Sequence, residues 1–320
     1  MINNKLPFVV ILLISILFIS GCTKTQSSTS SSTGGTGVVI EDFSLDSKTS
    51  LEPGDTFTIT LSLKNVGGVT AKGVYAELIN YADLDFVGSN GYKVKLLQDL
   101  EPNDDDTISW DLKIPDNIQL SLTYKPYVRV CYIYSTTAYQ DFAVIGNDYG
   151  EDLPSFSKGQ SNSPVGIDFE IRNGNNYYKV DQDGNKLGSY VRVKVYNKYN
   201  GIVGNNINPD DTNYGRSGYV GEVYSVIPLM KYNNNIIIYP NKQATLSYFD
   251  GDVFDYAFGD IARKVNLRLL QGKEAYLKHS FDIKGFTQDE GLLSGRVTAN
   301  ATYRYCIQSN TINIPVQVIH

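Results

Sequence analysis

The chain has 320 residues, of which 42% are hydrophobic and 19% charged, with a formal net charge of −6. That balance belongs to a globular protein rather than a disordered one, and its sign gives nucleic-acid binding no electrostatic support, so no nucleic-acid partner is expected. The 3 cysteines are too few for a disulfide scaffold.

In chain order, the first feature is an apolar run from Leu6 to Ile19, broken only by Pro7 and Ser15. A helix that crosses a bilayer needs roughly 20 residues, so this run is short for a span and right for a signal-peptide core. It ends in Phe18-Ile19-Ser20-Gly21-Cys22. That tail resembles the lipobox of secreted lipoproteins: a branched apolar residue, two small residues, then the cysteine that is lipidated and becomes the new amino terminus. The resemblance implies a signal peptide over 1–22, lipidation at Cys22, and export to the outer face of the cytoplasmic membrane or the cell envelope. The other reading is an uncleaved leader kept as a membrane anchor, which leaves the body on the same side. Residues 23–37 are Ser, Thr and Gly with Lys24 and Gln26 and nothing apolar. They read as a flexible tether reaching about 20 Å.

From residue 38 onward strand signals dominate. Thr56 to Leu63 alternates polar and apolar residues behind a Pro53-Gly54 turn, and Tyr190 to Val195 does the same. Alternation means one buried face and one wet face, the habit of antiparallel sheets. The sequence also resembles itself. "TITLSLKN" at 58–65 matches "YVRVKVYN" at 190–197, and "LEPNDDDTISW" at 100–110 matches "IYPNKQATLSY" at 238–248, with Pro102 against Pro240. "YVRVCYIYSTT" at 127–137 matches "TYRYCIQSNT" at 302–311, with Arg129 and Cys131 against Arg304 and Cys306. These matches predict a duplication, with one β-sandwich over 38–145 and a second over 164–320. A polar, turn-rich linker occupies 146–163. The second copy carries an insertion near 249–286. There Phe254, Phe258, Ile261 and Val265 are spaced as on a short helix, with Asp252 as N-cap.

"LEPGDTFTITLSLKNVGGVTAKGVYAEL" at 51–78, followed by "LEPNDDDTISWDLKIP" at 100–115, resembles the Ig-like modules of the cell-adhesion-related (CARDB) type found in bacterial and archaeal surface proteins. The shared pattern is a Pro-Gly turn, an alternating strand ending in Asn-x-Gly-Gly, and a proline turn before a strand with an aromatic. The clear similarity covers 38–145. It implies seven-stranded sandwiches and a surface or adhesion context, and it carries over no active site. The expected fold is all-β, with two tandem antiparallel Ig-like β-sandwiches, the second with a helix in its insertion.

Candidate chemistry is sparse. Cys131 and Cys306 fall one per copy. A bond between them needs their strands side by side with Cα atoms within about 7 Å, and free, buried thiols are the expectation. Asp250, Asp252 and Asp255, with Asp260, are the candidate ligands for a Ca2+ ion. Asp104-Asp105-Asp106 reads as a solvated turn, and Asp181-Gln182-Asp183-Gly184-Asn185 as a hairpin turn that lacks the later acidic ligand of a calcium loop. No cofactor is expected. The 2 histidines offer little for zinc or nucleophile chemistry, and His279, alternating with Leu277 and Phe281, is expected half-exposed on a strand. Asn300-Ala301-Thr302 is a glycan acceptor sequon. The 24 tyrosines suit sugar and protein contacts, although codon bias explains their number as well.

The expectation is therefore a lipid-anchored, non-enzymatic binding, adhesion or scaffold protein. Its partners would be the membrane, through the anchor, and an envelope protein or polysaccharide. Two rivals make different demands. A ligand-capture lipoprotein needs a concave, tyrosine-lined cleft at the 146–163 junction. An envelope hydrolase needs two acids, or a histidine and an acid, meeting in a pocket.

Overall fold

The structure is a computed structural model that describes residues 36–46, 50–88, 92–171, 175–212, 217–227, 231–232, 235–236, 238–240, 249–255, 261–286 and 291–318. The leader, Cys22 and most of the tether lie outside these residues.

The described chain is all-β. The first half contains β1 (Val38–Asp46), β2 (Thr56–Asn65), β3 (Lys72–Ile79), β4 (Asp85–Phe86), β5 (Val94–Leu96), β6 (Asp105–Lys113), β7 (Leu122–Tyr124) and β8 (Tyr127–Ile145). Then follow β9 (Lys158–Gln160), β10 (Val165–Ile171), β11 (Tyr177–Lys179), β12 (Lys186–Asn197), β13 (Ile202–Gly204), β14 (Tyr219–Ile227), β15 (Lys231–Tyr232) and β16 (Asn235–Ile236). The last are β17 (Ile238–Pro240), β18 (Phe249–Asp255), β19 (Ile261–Arg268), β20 (Glu274–Ile283), β21 (Leu292–Gln308) and β22 (Ile314–Val316).

Alternation decides which faces are buried. On β2, Phe57, Ile59, Leu61 and Leu63 are buried while Thr58, Thr60 and Ser62 are not. Burying each such aliphatic side chain stabilises the fold by about 1.5–3 kcal/mol. The β2 face packs with Val128, Val130, Tyr132 and Tyr134 of β8 in a core that also takes in Val193, Val195 and Leu277. A second cluster gathers Phe142, Val144, Val191, Phe281 and Ile283.

Three sheets carry these residues. Two have four strands, in the orders β1-β2-β6-β4 and β10-β12-β20-β17. The third has ten strands, along the path β18-β19-β14-β21-β8-β3-β5, with β9, β11 and β13 pairing onto its central strands. Strands β8 and β21 run antiparallel, from Arg129 opposite Gln308 to Ile145 opposite Leu292. In this register Cys131 faces Cys306, so the two matched Arg-x-Cys motifs meet about a local twofold axis. The linker is drawn in as well, because β9 pairs β8 with Gly159 opposite Tyr139.

Local contacts repeat with the strands. Asn65 donates from Nδ2 to the Val69 carbonyl at 2.8 Å and accepts from the Gly67 N–H at 3.0 Å. Asn197, its sequence match, donates to the Gly201 carbonyl at 2.8 Å and accepts from the Tyr199 N–H at 3.3 Å.

Several expectations are corrected. There is no helix among the described residues: Phe254 lies on β18, and Ile261 and Val265 on β19, which pair antiparallel and extend the large sheet beyond β14. Tertiary pairing overrides the four-three-four spacing, which a strand hairpin also tolerates. Phe258 and Asp260 lie outside the described residues. Of the match of 100–110 with 238–248, residues 241–248 lie outside the described residues. Strand β20 stands beside β12 as β6 stands beside β2, while β17 takes the outer place of β4. Finally, Cys131 and Cys306 are not free: they form a disulfide with Cα atoms 4.1 Å apart.

Candidate functional site

In an antiparallel ladder, opposed residues share a face. On the face of the β8–β21 ladder turned away from the core, the opposed pairs are Cys131–Cys306, Ile133–Arg304, Ser135–Thr302, Thr137–Asn300, Tyr139–Thr298 and Asp141–Arg296. The character of this face changes along its length.

At the disulfide end it is sealed. Tyr75 and the two cysteines are buried together, with Val94 and Ile202 packed against them. Arg304 is fully buried. Its Nε donates to the Asn206 carbonyl at 2.9 Å, and its terminal nitrogens donate to the carbonyls of Asn208 and Asp211. One guanidinium therefore gathers three carbonyls of a single loop and stands 5.4 Å from the Tyr75 ring. Burial raises the Tyr75 phenol, and hydrogen bonding to Arg304 opposes that shift.

At the other end the face opens into a cleft of about 540 Å³. Thr137, Tyr139, Thr298 and Asn300 lie on its floor, with Gly159 to Ser161 on one side. Tyr224 borders the other side, opposite Asn300 in the β14–β21 register. Arg296 holds Asp141 through two bonds, Nε to Oδ1 at 2.6 Å and Nη2 to Oδ2 at 3.2 Å, and lies over the Tyr139 ring at 4.2 Å. The Arg296 hydrogen bond lowers the Asp141 carboxyl, and the same bond raises the guanidinium. Tyr139 also lies close to the backbone of Gly159, where an added Cβ would fall 2.5 Å from the ring. Gln160, opposite the inward Ala138, turns its side chain away from the cleft floor, and its Oε1 accepts from the Ile167 N–H at 3.3 Å.

A second polar face lies on β12 and β20. Arg192 stands 5.4 Å from the Tyr276 ring and Lys278 stands 4.6 Å from Tyr190. Two of its cations are paired, Arg192 with Glu170 at 3.0 Å and Lys194 with Glu274 at 2.6 Å.

Other sequence candidates fall elsewhere. His279 is buried, not half-exposed, because it shares the inward face of Leu277 and Phe281. Its Nε2 bonds the buried Ser225 hydroxyl, and neither residue lines the cleft. Asp181 organises a turn by accepting the N–H groups of Asp183 and Asn185 at 3.0 and 2.8 Å, and Gly184 occupies a left-handed position at φ 72°. Asp104 and Asp106 likewise cap nearby backbone N–H groups. Asp250, Asp252 and Asp255 lie on β18, with side chains outside the described residues. Among the described residues no group of three or more His, Cys, Asp or Glu gathers to hold a metal ion. Asn300 is exposed on the cleft floor.

No family model and no curated protein matches the chain. Among solved structures, the secreted serine protease VesC from Vibrio cholerae is matched at 8% identity and a TM-score of 0.19, over 84% of this chain. The match spans about half of that protein, 51% of its chain, and likeness at this level carries no argument.

Proposed function

We propose that this chain is an exported, lipid-anchored protein of the cell envelope that works by binding rather than catalysis, built from two Ig-like β-sandwiches fused along one strand pair. The orders β1-β2-β6-β4 and β10-β12-β20-β17 agree with the A-B-E-D sheet of an Ig-like sandwich. In the large sheet each half then borrows the other's long strand, β21 lying beside β8 and β8 beside β21. This supports the CARDB-type resemblance in the first half and extends it to the second.

The observation that carries the export reading is the Cys131–Cys306 disulfide. Such bonds persist in oxidising compartments outside the cytosol, in agreement with the lipobox at Cys22. The test is mass spectrometry of the amino-terminal peptide from purified membranes, with protease shaving of whole cells. A diacylated peptide beginning at Cys22 and loss of the body on shaving are expected. An unmodified thiol on an intact leader in a cytosolic protein defeats the proposal.

Between adhesion and ligand capture, the cleft favours recognition of a ligand by the central sheet. It borders the linker at Gly159 to Ser161 and carries Tyr139 and Tyr224, the place and lining that a capture protein requires. Crosslinking in cells followed by pull-down tests the partner. Recovery of envelope polymer or protein is expected, and recovery of lipid alone counts against a binding role.

A further inference from the structure

We infer that the cleft over β8, β21 and β14 binds an uncharged saccharide, such as a segment of a neutral envelope glycan. The inference rests on the binding reading above and names the chemistry its site accepts.

Charge is the first filter. Among the described residues that line the cleft, Arg296 is the one charged side chain, and Asp141 stands opposite it in the register. They neutralise each other through two hydrogen bonds. An anionic ligand would have to compete with a carboxylate already held in bidentate geometry, and a cation would meet the arginine. A neutral ligand leaves the pair in place and can still accept from guanidinium N–H groups that Asp141 does not use.

Hydrogen-bonding pattern is the second. Thr137, Thr298 and Asn300 present hydroxyls and an amide, which together donate and accept without charge. Sugar hydroxyls do the same. Tyr224, 40% exposed, offers an aromatic surface to the apolar C–H face of a pyranose. The volume of about 540 Å³ lies within the range of small-ligand sites.

Backbone accessibility is the third filter, and it disfavours a peptide that adds as a strand. Such a peptide needs an open sheet edge. The cleft floor is interior: β8 is paired by β21 and β9, and β21 by β8 and β14. Recognition here must come from side chains.

The test uses the full-length protein in detergent micelles, titrated by isothermal calorimetry. The neutral probes are maltohexaose, cellohexaose, mannohexaose and chitohexaose, and the comparators are an oligogalacturonate and an unstructured hexapeptide. At least one neutral probe is expected to bind, with the comparators silent. Tyr224→Ala and Asn300→Ala, both at exposed positions, are each expected to weaken binding about tenfold with an unchanged melting temperature. Three results overturn the inference. One is silence from all four neutral probes. Another is binding that survives the double variant, which would move the site, for instance to the Tyr190–Tyr276 face. The third is a glycan covalently attached at Asn300 and filling the cleft of the native protein. None of these touches the anchoring proposal, which is read from Cys22 and cell shaving.

Discussion

At the scale of single residues, Arg304 and Asp141 carry the sharpest consequences. Arg304 is fully buried and holds three loop carbonyls. Truncating it strands those acceptors and empties the space beside Tyr75. Arg304→Ala is expected to lower stability by about 3 kcal/mol or more, read as a drop in the urea midpoint. Its sequence match Arg129, paired with Glu77 at 3.8 Å, should cost less because it is half-exposed. Asp141 links the cleft to pH. Its folded pKa is held below the ordinary 3.8 by Arg296. A carboxylate of depressed pKa contributes stability that is present above its unfolded value and lost as pH falls through the folded one. The wild type should therefore lose stability below about pH 4 faster than Asp141→Asn, measured as melting temperature against pH. Equal acid limbs would show that the ion pair does not contribute. Neither partner stood out in the sequence, since they are 155 residues apart and no local pattern links them. Gly159 was equally silent, because the reason for its missing side chain is a ring from another strand.

At the scale of elements, the β8–β21 ladder is the piece that folds two similar halves into one body. Its disulfide closes a loop with a sequence separation of 175. Removing such a link costs about 2–5 kcal/mol. The Cys131→Ser, Cys306→Ser double variant should melt well below the wild type, and a melting temperature unchanged by the substitutions would deny the bond a structural role. Because both cysteines are buried, the native bond should resist dithiothreitol until denaturant opens the seam. The strands themselves were legible. Alternation at Thr56 to Leu63 and Tyr190 to Val195 gave β2 and β12, and the Asn65–Asn197 equivalence appears in matching hydrogen bonds. The helix was misread because Phe254, Ile261 and Val265 fit two periods, and only the neighbour β14 decides between them. The cysteines were misread for a related reason: composition argues within a chain segment, whereas the bond depends on which strand lies alongside.

At the scale of the whole molecule, the matched motifs face each other across a local axis at Cys131 and Cys306. A fragment comprising residues 36–163 would expose the β8 edge that β21 normally covers. Such an edge is a template for pairing, and the axis specifies a like partner. The fragment is expected to form a symmetric dimer linked Cys131 to Cys131, seen as doubled mass in light scattering and on non-reducing gels. A stable, soluble monomer would contradict the shared-strand account. The matched Arg-x-Cys motifs were visible in sequence, but their pairing was not. A match between two motifs does not say that they pair, whereas the antiparallel register of the longest strands sets Cys131 opposite Cys306.

The same covalent link decides how the protein would bear tension. Pulled between an anchor ahead of β1 and a partner held near β22, the polypeptide offers the load a short cut from Cys131 to Cys306. The 175-residue interval between those positions, which contains β10 to β20, stays outside the line of force. In a single-molecule stretching experiment the oxidised chain should extend only through its outer segments, and a reductant should release the hidden length as an added step. The half of the molecule carrying Tyr224 and Asn300 would keep its shape while the rest is strained.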